Sequence, residues 1–320
     1  MEKAPLSVSV IVLVYNADKA KLNMTLRSIL RQRNIDFEII IADDGSTERL
    51  DSEMISLFNE CGFENYSFTS HTENMGTCKN LFAALELVKS PLVKAISPGD
   101  ALYDENTLSA WAEFMNKSDC DASFGKAVYY AEVEGETRII KTAGAPKYPE
   151  LYKEGRRKSL FVDYLLANDT ILGASLMMKT EVIKHYLSLF VDRVKYAEDY
   201  MLRLAIFENK KVCCFPQNAI FYEYGLGIST AKSQKWAELL HKDFTASDAL
   251  LLENCERVDA IAKRYARYLE GKKNGASLGK LTKLLSFPSL LYYRIKPRFS
   301  FGQTPETADL TFFNEVTEKK

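Results

Sequence analysis

The sequence has little net charge, few histidines and no long apolar run. Its 320 residues carry 42 Lys and Arg against 43 Asp and Glu, a formal charge of −1, which argues against nucleic-acid binding driven by overall charge. His71, His185 and His241 lack the spacing of a zinc site. The six cysteines (Cys61, Cys78, Cys120, Cys213, Cys214 and Cys255) contain no Cys-x-x-Cys pair. They read as unpaired thiols of a reduced, cytosolic protein, not as a disulfide framework. No stretch approaches the roughly 18 apolar residues of a membrane span. Met1 to Ser7 is too short and polar for a secretory leader, and neither an internal repeat nor a low-complexity segment is present.

What is there is enough apolar material, 47% of residues, for a large core; the length suits one large or two modest domains. The charge is unevenly spread. Residues 1–262 carry 30 basic and 38 acidic side chains, whereas residues 263–298 carry 10 basic and one acidic. That basic segment, interleaved with Leu, Phe and Tyr, suits either a helical subdomain with a solvated face or a helix at an anionic membrane surface, although Gly271, Gly275, Gly279 and Pro288 would break a single helix.

Strand and helix patterns alternate four times in the first hundred residues. Ser7–Val14 reads as a buried strand, and Leu22, Leu26, Ile29 and Leu30 recur at helical spacing over about 19–33. Residues 37–42 form a continuous β-branched run, as in a parallel strand covered on both faces. A helix over about 51–61, a weaker strand at 66–69, a helix from about 77 to 88 and a strand at 92–96 follow. The pattern predicts a doubly wound, mostly parallel α/β sheet. Beyond it we expect a helix at 104–116, strands at 122–130 and 136–141, a helix at 159–167, a strand at 174–178 and a helix at 180–190. Separate strands at 212–215 and 220–224, a helical region from about 231 to 270 and an ill-ordered tail after 299 complete the reading.

Four sets of residues stand at strand ends or helix starts, where open α/β sheets bind ligands: Tyr15-Asn16 after the first strand, Asp43-Asp44-Gly45-Ser46 after the second, Ser97-Pro98-Gly99-Asp100 after the fourth, and Glu198-Asp199 before an amphipathic helix. The last three have an ordinary alternative: Asp opens turns, Pro-Gly-Asp is turn-forming, and Asp at a helix start caps it. Tyr222 to Thr230, with two glycines among hydroxyl side chains, reads as a mobile loop or a plain linker.

In this order, together with Asn74-Met75-Gly76, these motifs resemble the inverting family 2 glycosyltransferases of bacterial cell-surface polysaccharide synthesis. The resemblance covers roughly residues 7–225. It implies the GT-A fold with an added helical C-terminal region: a nucleotide-sugar-binding and catalytic domain over 1–228, and a helical region over 229–320 contacting acceptor, membrane or partner. It implies that Tyr15, Asn16, Asp43 and Asp44 line the nucleoside site, with Asp44 on the uracil ring. Asn74, Gly76 and Lys79, the last where the family usually has Arg, would contact the nucleotide. Asp100 would hold Mn²⁺ or Mg²⁺, and Asp199, flanked by Glu198, would be the general base. The departure is Gly99, which replaces the acid that usually contacts the ribose.

The implied reaction moves a sugar from a UDP-sugar to a hydroxyl of a glycan or glycolipid, in the cytoplasm or peripherally at the inner face of the plasma membrane through 263–298. A homo-oligomer is left open. Two alternatives remain: a non-catalytic nucleotide-sugar-binding partner, motivated by Gly99, and a sugar nucleotidyltransferase, although Tyr15-Asn16-Ala17-Asp18 lacks the Gly-rich basic loop of that class. Arg203, one turn after Asp199, would share its face and either steady it or form a surface pair.

Overall fold

The computed structural model describes residues 6–134, 136–140, 145–146, 148–152, 160–166, 169–225, 234–253, 260–273, 284–285, 287–288, 290 and 308–318. Strands β1 (Ser7–Val14), β2 (Asp36–Asp43), β3 (Tyr66–Ser70) and β4 (Leu92–Ile96) alternate with helices α1 (Lys19–Leu30), α2 (Asp51–Glu60) and α3 (Thr77–Leu85). After β4 come the short β5 (Ala101–Leu102), α4 (Thr107–Ser118), β6 (Ala122–Val133), β7 (Glu136–Ile139), β8 (Leu176–Lys179) and α5 (Thr180–Phe190). A 3₁₀ turn (Glu198–Met201) leads into α6 (Leu202–Phe207) and the long β9 (Val212–Glu223). Helices α7 (Gln234–Glu253), α8 (Ala260–Lys273) and α9 (Thr311–Thr317) follow.

The sheet runs β3-β2-β1-β4-β8-β6-β9-β5, with β7 paired to β6 off that path. The long ladders β1–β2, β1–β4, β2–β3 and β6–β9 are parallel, and the antiparallel ladders β4–β8, β5–β9, β6–β7 and β6–β8 are short. The expected mostly parallel α/β architecture is therefore observed. Its β-branched runs have the anticipated cause. Ile11, Ile40 and Ala42 face one hydrophobic cluster, which also holds residues of α3, α5 and the C-terminal helices. Val10, Val12, Ile39 and Ile41 face a second, built with α1, α2 and α4. Alternate residues go to opposite faces, and both faces are covered. Helix α1 starts where it does because Asp18 caps it, accepting the Lys21 N–H at 3.0 Å.

Several expectations are corrected. Cys120 and Cys213 form a disulfide linking the start of β6 to that of β9; two thiols far apart in sequence meet because those strands pair. The strands expected at 212–215 and 220–224 are one strand, β9. The helical region expected over 231–270 consists of α7 and α8, residues 254–259 lying outside the described ones. The tail after 299 contains α9, whose Phe313 is 1% exposed and packs on Tyr130 and Phe221, while Arg31 pairs with Glu315 at 2.7 Å. Gly227 to Thr230 and most of 263–298 lie outside the described residues, as does the boundary expected at 228. Tyr222 and Glu223, read as loop, end β9 and are buried. Among the described residues no helix is long and apolar enough to cross a membrane.

Candidate active site

Because β1, β2 and β4 are parallel and in register, Tyr15-Asn16, Asp43-Asp44 and Ser97–Asp100 leave the sheet at the same edge. Tyr15 is half exposed. Asn16, in the left-handed region at φ 44°, binds the turn after β2: its N–H donates to Ser46 Oγ at 2.8 Å and its Oδ1 accepts the Thr47 N–H at 2.9 Å. Asp43 accepts the Ser46 N–H at 3.1 Å. Asp44 reaches the other way, accepting the N–H groups of Met75 and Gly76 at 2.8 and 2.9 Å, one on each oxygen. Burial raises its pKa and these two bonds pull it back. Each oxygen keeps acceptor capacity for a ligand. Gly76 has φ 94°, and a Cβ there would collide with Lys195, so the turn carrying Asn74 packs directly on the segment before Glu198. Lys79, half-buried in the first turn of α3, has no ionic partner among the described residues.

At the end of β4 the loop is pinned from α1. Thr25 Oγ1 accepts the Gly99 N–H at 3.2 Å and donates to the Asp100 carbonyl at 2.7 Å, and the Tyr130 hydroxyl donates to the Gly99 carbonyl. Asp100 is 5% exposed and accepts the Glu223 N–H at 3.1 Å. Gly99 has φ 102°, and a Cβ there would lie 2.5 Å from Glu223 Oε2. The carboxylate missing at position 99 is thus matched by one arriving from β9, whose other oxygen is 2.5 Å from Lys21 Nζ. Sequence reading missed Glu223 and Lys21; the apolar run Ile220–Tyr222 marks a strand end, but nothing local shows which strand it meets. Fully buried Lys94 donates to the carbonyls of Ala95 and Ala174, at 2.5 and 2.6 Å. Burial pushes Lys94 down to about 7 and Asp100 up to about 7, each charge partly offsetting the other's shift.

Glu198 and Asp199 open the 3₁₀ turn before α6. Burial raises both pKa values, and the Asp199 charge pushes Glu198 further; two neighbouring acids cannot ionise independently in such surroundings. A Cβ on Gly173 would lie 3.1 Å from Asp199 Cβ and 3.3 Å from Asp199 Oδ2, so glycine keeps one side of that carboxylate clear. Arg203 does not steady Asp199: it is buried against the C-terminal helices, its Nη2 2.8 Å from Asp248 and 2.9 Å from the Tyr265 hydroxyl.

These acids are joined by a run of contacts. Asp44 holds Met75-Gly76. Asn74 accepts from the Tyr196 hydroxyl at 3.3 Å. Tyr196 leads into Asp199, which abuts Gly173, and the neighbouring Ala174 receives Lys94, whose charge acts on Asp100. Among the described residues no group of three or more His, Cys, Asp or Glu is placed to hold a metal by itself. Asp100 and Glu223 offer oxygen donors only, the kind a hard cation takes together with phosphate oxygens.

The sequence matches the family described as "Glycosyl transferase family 2" over residues 9–185, a span that ends before Glu198. An uncharacterized glycosyltransferase of Haemophilus influenzae is 30% identical over 212 residues, 62% of this chain, and the chain spans 59% of that relative's length. Residues 1–349 of S. aureus TarS superpose with a TM-score of 0.56 at 17% identity, covering 92% of this chain and 76% of that one. The same fragment in complex with UDP-GlcNAc gives 0.56 at 18% identity, covering 91% and 76%. At such identities the structural likeness is one of fold.

Proposed function

The chain belongs to glycosyl transferase family 2, and from that premise we propose that it moves a sugar from a UDP-sugar to a hydroxyl group of a glycan or glycolipid, with inversion at the anomeric carbon. The observation that supports this reading is the run of contacts leading from Asp44 through Tyr196 and Asp199 towards Lys94 and Asp100. The S. aureus TarS fragment has been crystallised with UDP and with UDP-GlcNAc, which supports a uridine nucleotide as donor.

In this reading Asn16, Asp43 and Asp44 border the nucleoside. A free lone pair on Asp44 accepts the uracil N–H and discriminates against bases without a donor there. Asn74 and Gly76, in the turn before α3, and Lys79, in its first turn, face the nucleotide. Asp199 takes the proton of the acceptor hydroxyl as its oxygen attacks, and its raised proton affinity suits that task. Asp100 and Glu223 would hold Mn²⁺ or Mg²⁺, which when bound neutralises charge on the diphosphate leaving group. Lys21 balances Glu223 and offers a second positive charge near that group. The basic segment 263–298 would bring the enzyme to an anionic surface carrying the acceptor, each basic side chain contributing about 1 kcal/mol.

A panel of UDP-sugars, incubated with Mn²⁺ and a hydroxyl acceptor and assayed for released UDP, tests the proposal. Release with one donor is expected; binding of a UDP-sugar without release would favour the binding-partner role that Gly99 suggests. No binding of any uridine nucleotide would overturn the reading. For the surface, co-sedimentation with anionic vesicles is expected for the full chain and lost on removing 263–298.

A further inference from the structure

The turn carrying the proposed base is held from outside its own element. Lys195, Tyr196 and Ala197 lead directly into Glu198 and Asp199, and all three direct their backbone N–H groups at one side chain. Asp243 Oδ1 accepts from Lys195 at 3.0 Å, and Oδ2 accepts from Tyr196 at 2.7 Å and from Ala197 at 3.1 Å. Asp243 lies in the middle of α7 and is 5% exposed. Charge-assisted bonds from three successive amides fix the path of the backbone far more tightly than neutral turn bonds do. Helix α7 reinforces the grip: Trp236 meets Tyr196 edge to face at 5.1 Å, and Phe244 stacks on Tyr200 at 4.4 Å. On its other side the same segment is tied to the nucleotide turn. The Cys78 N–H donates to the Lys195 carbonyl at 3.0 Å, and Lys195 Nζ reaches the Asn74 carbonyl at 3.4 Å.

We propose that Asp243 is a positioning residue for the transfer reaction: it clamps residues 195–197 to α7, so that the Asp199 carboxylate stays aimed at the acceptor and moves as one unit with the turn at 74–76. This rests on the reading of Asp199 as the base. Asp243 acts through the backbone and touches neither donor nor acceptor. The C-terminal helices thereby become part of the catalytic apparatus and not merely an appended bundle.

Asp243→Asn preserves size but replaces one acceptor oxygen with a donor, so at least one of the three amides loses its partner. In the full-length protein with the donor found above, kcat should fall about 10²-fold, the loss expected for a misplacement of about 1 Å. KM for the donor and the calorimetric Kd for UDP should stay within about twofold. Hydrogen exchange at residues 195–197 should accelerate while β1, β2 and β4 remain protected. Unchanged kcat in the folded variant, or parallel loss of kcat and UDP affinity, would overturn the proposal. Should the variant not fold, exchange in the wild type decides: amides 195–197 are expected to be as protected as the central strands, and fast exchange there refutes the clamp. If the wild type releases no UDP from any donor, the base assignment fails, and the exchange measurement still reports whether Asp243 holds the segment.

Discussion

Replacing Gly99 by alanine tests whether Glu223 has taken the space of an acid at that position. Two costs arise. A β-carbon at φ 102° is strained by about 1–3 kcal/mol. The new methyl would also lie 2.5 Å from Glu223 Oε2, so the carboxylate must move and give up its pairing with Lys21. That pair is only partly screened, the two side chains being 32% and 9% exposed, and a largely buried carboxylate left without its partner costs about 1–3 kcal/mol. The sum is about 2–6 kcal/mol, a fall of roughly 3–9 °C in Tm for a chain of 320 residues. Glu223→Ala in the Gly99→Ala background removes the second cost and leaves the first. The four proteins therefore form a double-mutant cycle with an expected coupling of about 1–3 kcal/mol, measured by urea and thermal unfolding. Additivity within about 0.5 kcal/mol would refute the reasoning, as would an alanine variant as stable as the wild type. By the same argument Gly99→Asp does not restore a lost acid, because it sets a second negative charge against Glu223.

Asp199→Asn should abolish transfer and leave UDP affinity nearly intact by calorimetry, and retained turnover would remove Asp199 from the base role. Since the base must be ionised and burial raises the Glu198–Asp199 pair, kcat/KM should fall on acidification at a pH above the usual carboxylate range near 4; a limb near 4 would contradict this. Asp100→Ala should weaken UDP binding in Mn²⁺ far more than in its absence, again by calorimetry. Lys94 holds its proton less tightly folded, at about 7, than unfolded, near 10.4. The unfolded chain thus binds more protons in that window, and this residue adds stability as pH rises from about 7 to 9; Lys94→Met should flatten the rise in urea midpoints. Phe313→Ala should cost about 3 kcal/mol or more in unfolding, since its ring is sealed between Tyr130 and Phe221. A negligible shift in Tm would mean α9 is not docked.

The first half of the sheet was legible because its information is local. Uninterrupted β-branched runs such as Ile39-Ile40-Ile41 announce a strand buried on both faces, and Asp43-Asp44-Gly45 announces its end. Asp44, Asp100 and Asp199 could be singled out for the same reason, each sitting beside a turn or helix start. What escaped was non-local. Nothing near Glu223 says that it faces Gly99, 124 residues earlier in the chain, and nothing in α7 marks Asp243 as the acceptor of three amides from another segment. Arg203 was misjudged because helical spacing shows which side chains share a face, not which of them a buried Asp248 and Tyr265 will claim. Cys120 and Cys213 looked unrelated until the β6–β9 pairing brought them together.

That pairing carries one more consequence. Phe124 lies opposite Cys214 and Ala127 opposite Ile220, so β9 advances six residues while β6 advances three. The surplus bulges out around exposed Pro216 and Gln217, where proline's missing donor does no harm. An odd surplus turns the rest of a strand over. Deleting a single residue there would send Glu223 to the opposite face and bring Tyr224 beside Gly99. Which side chain meets Gly99 is thus decided by the length of the bulge in the middle of β9.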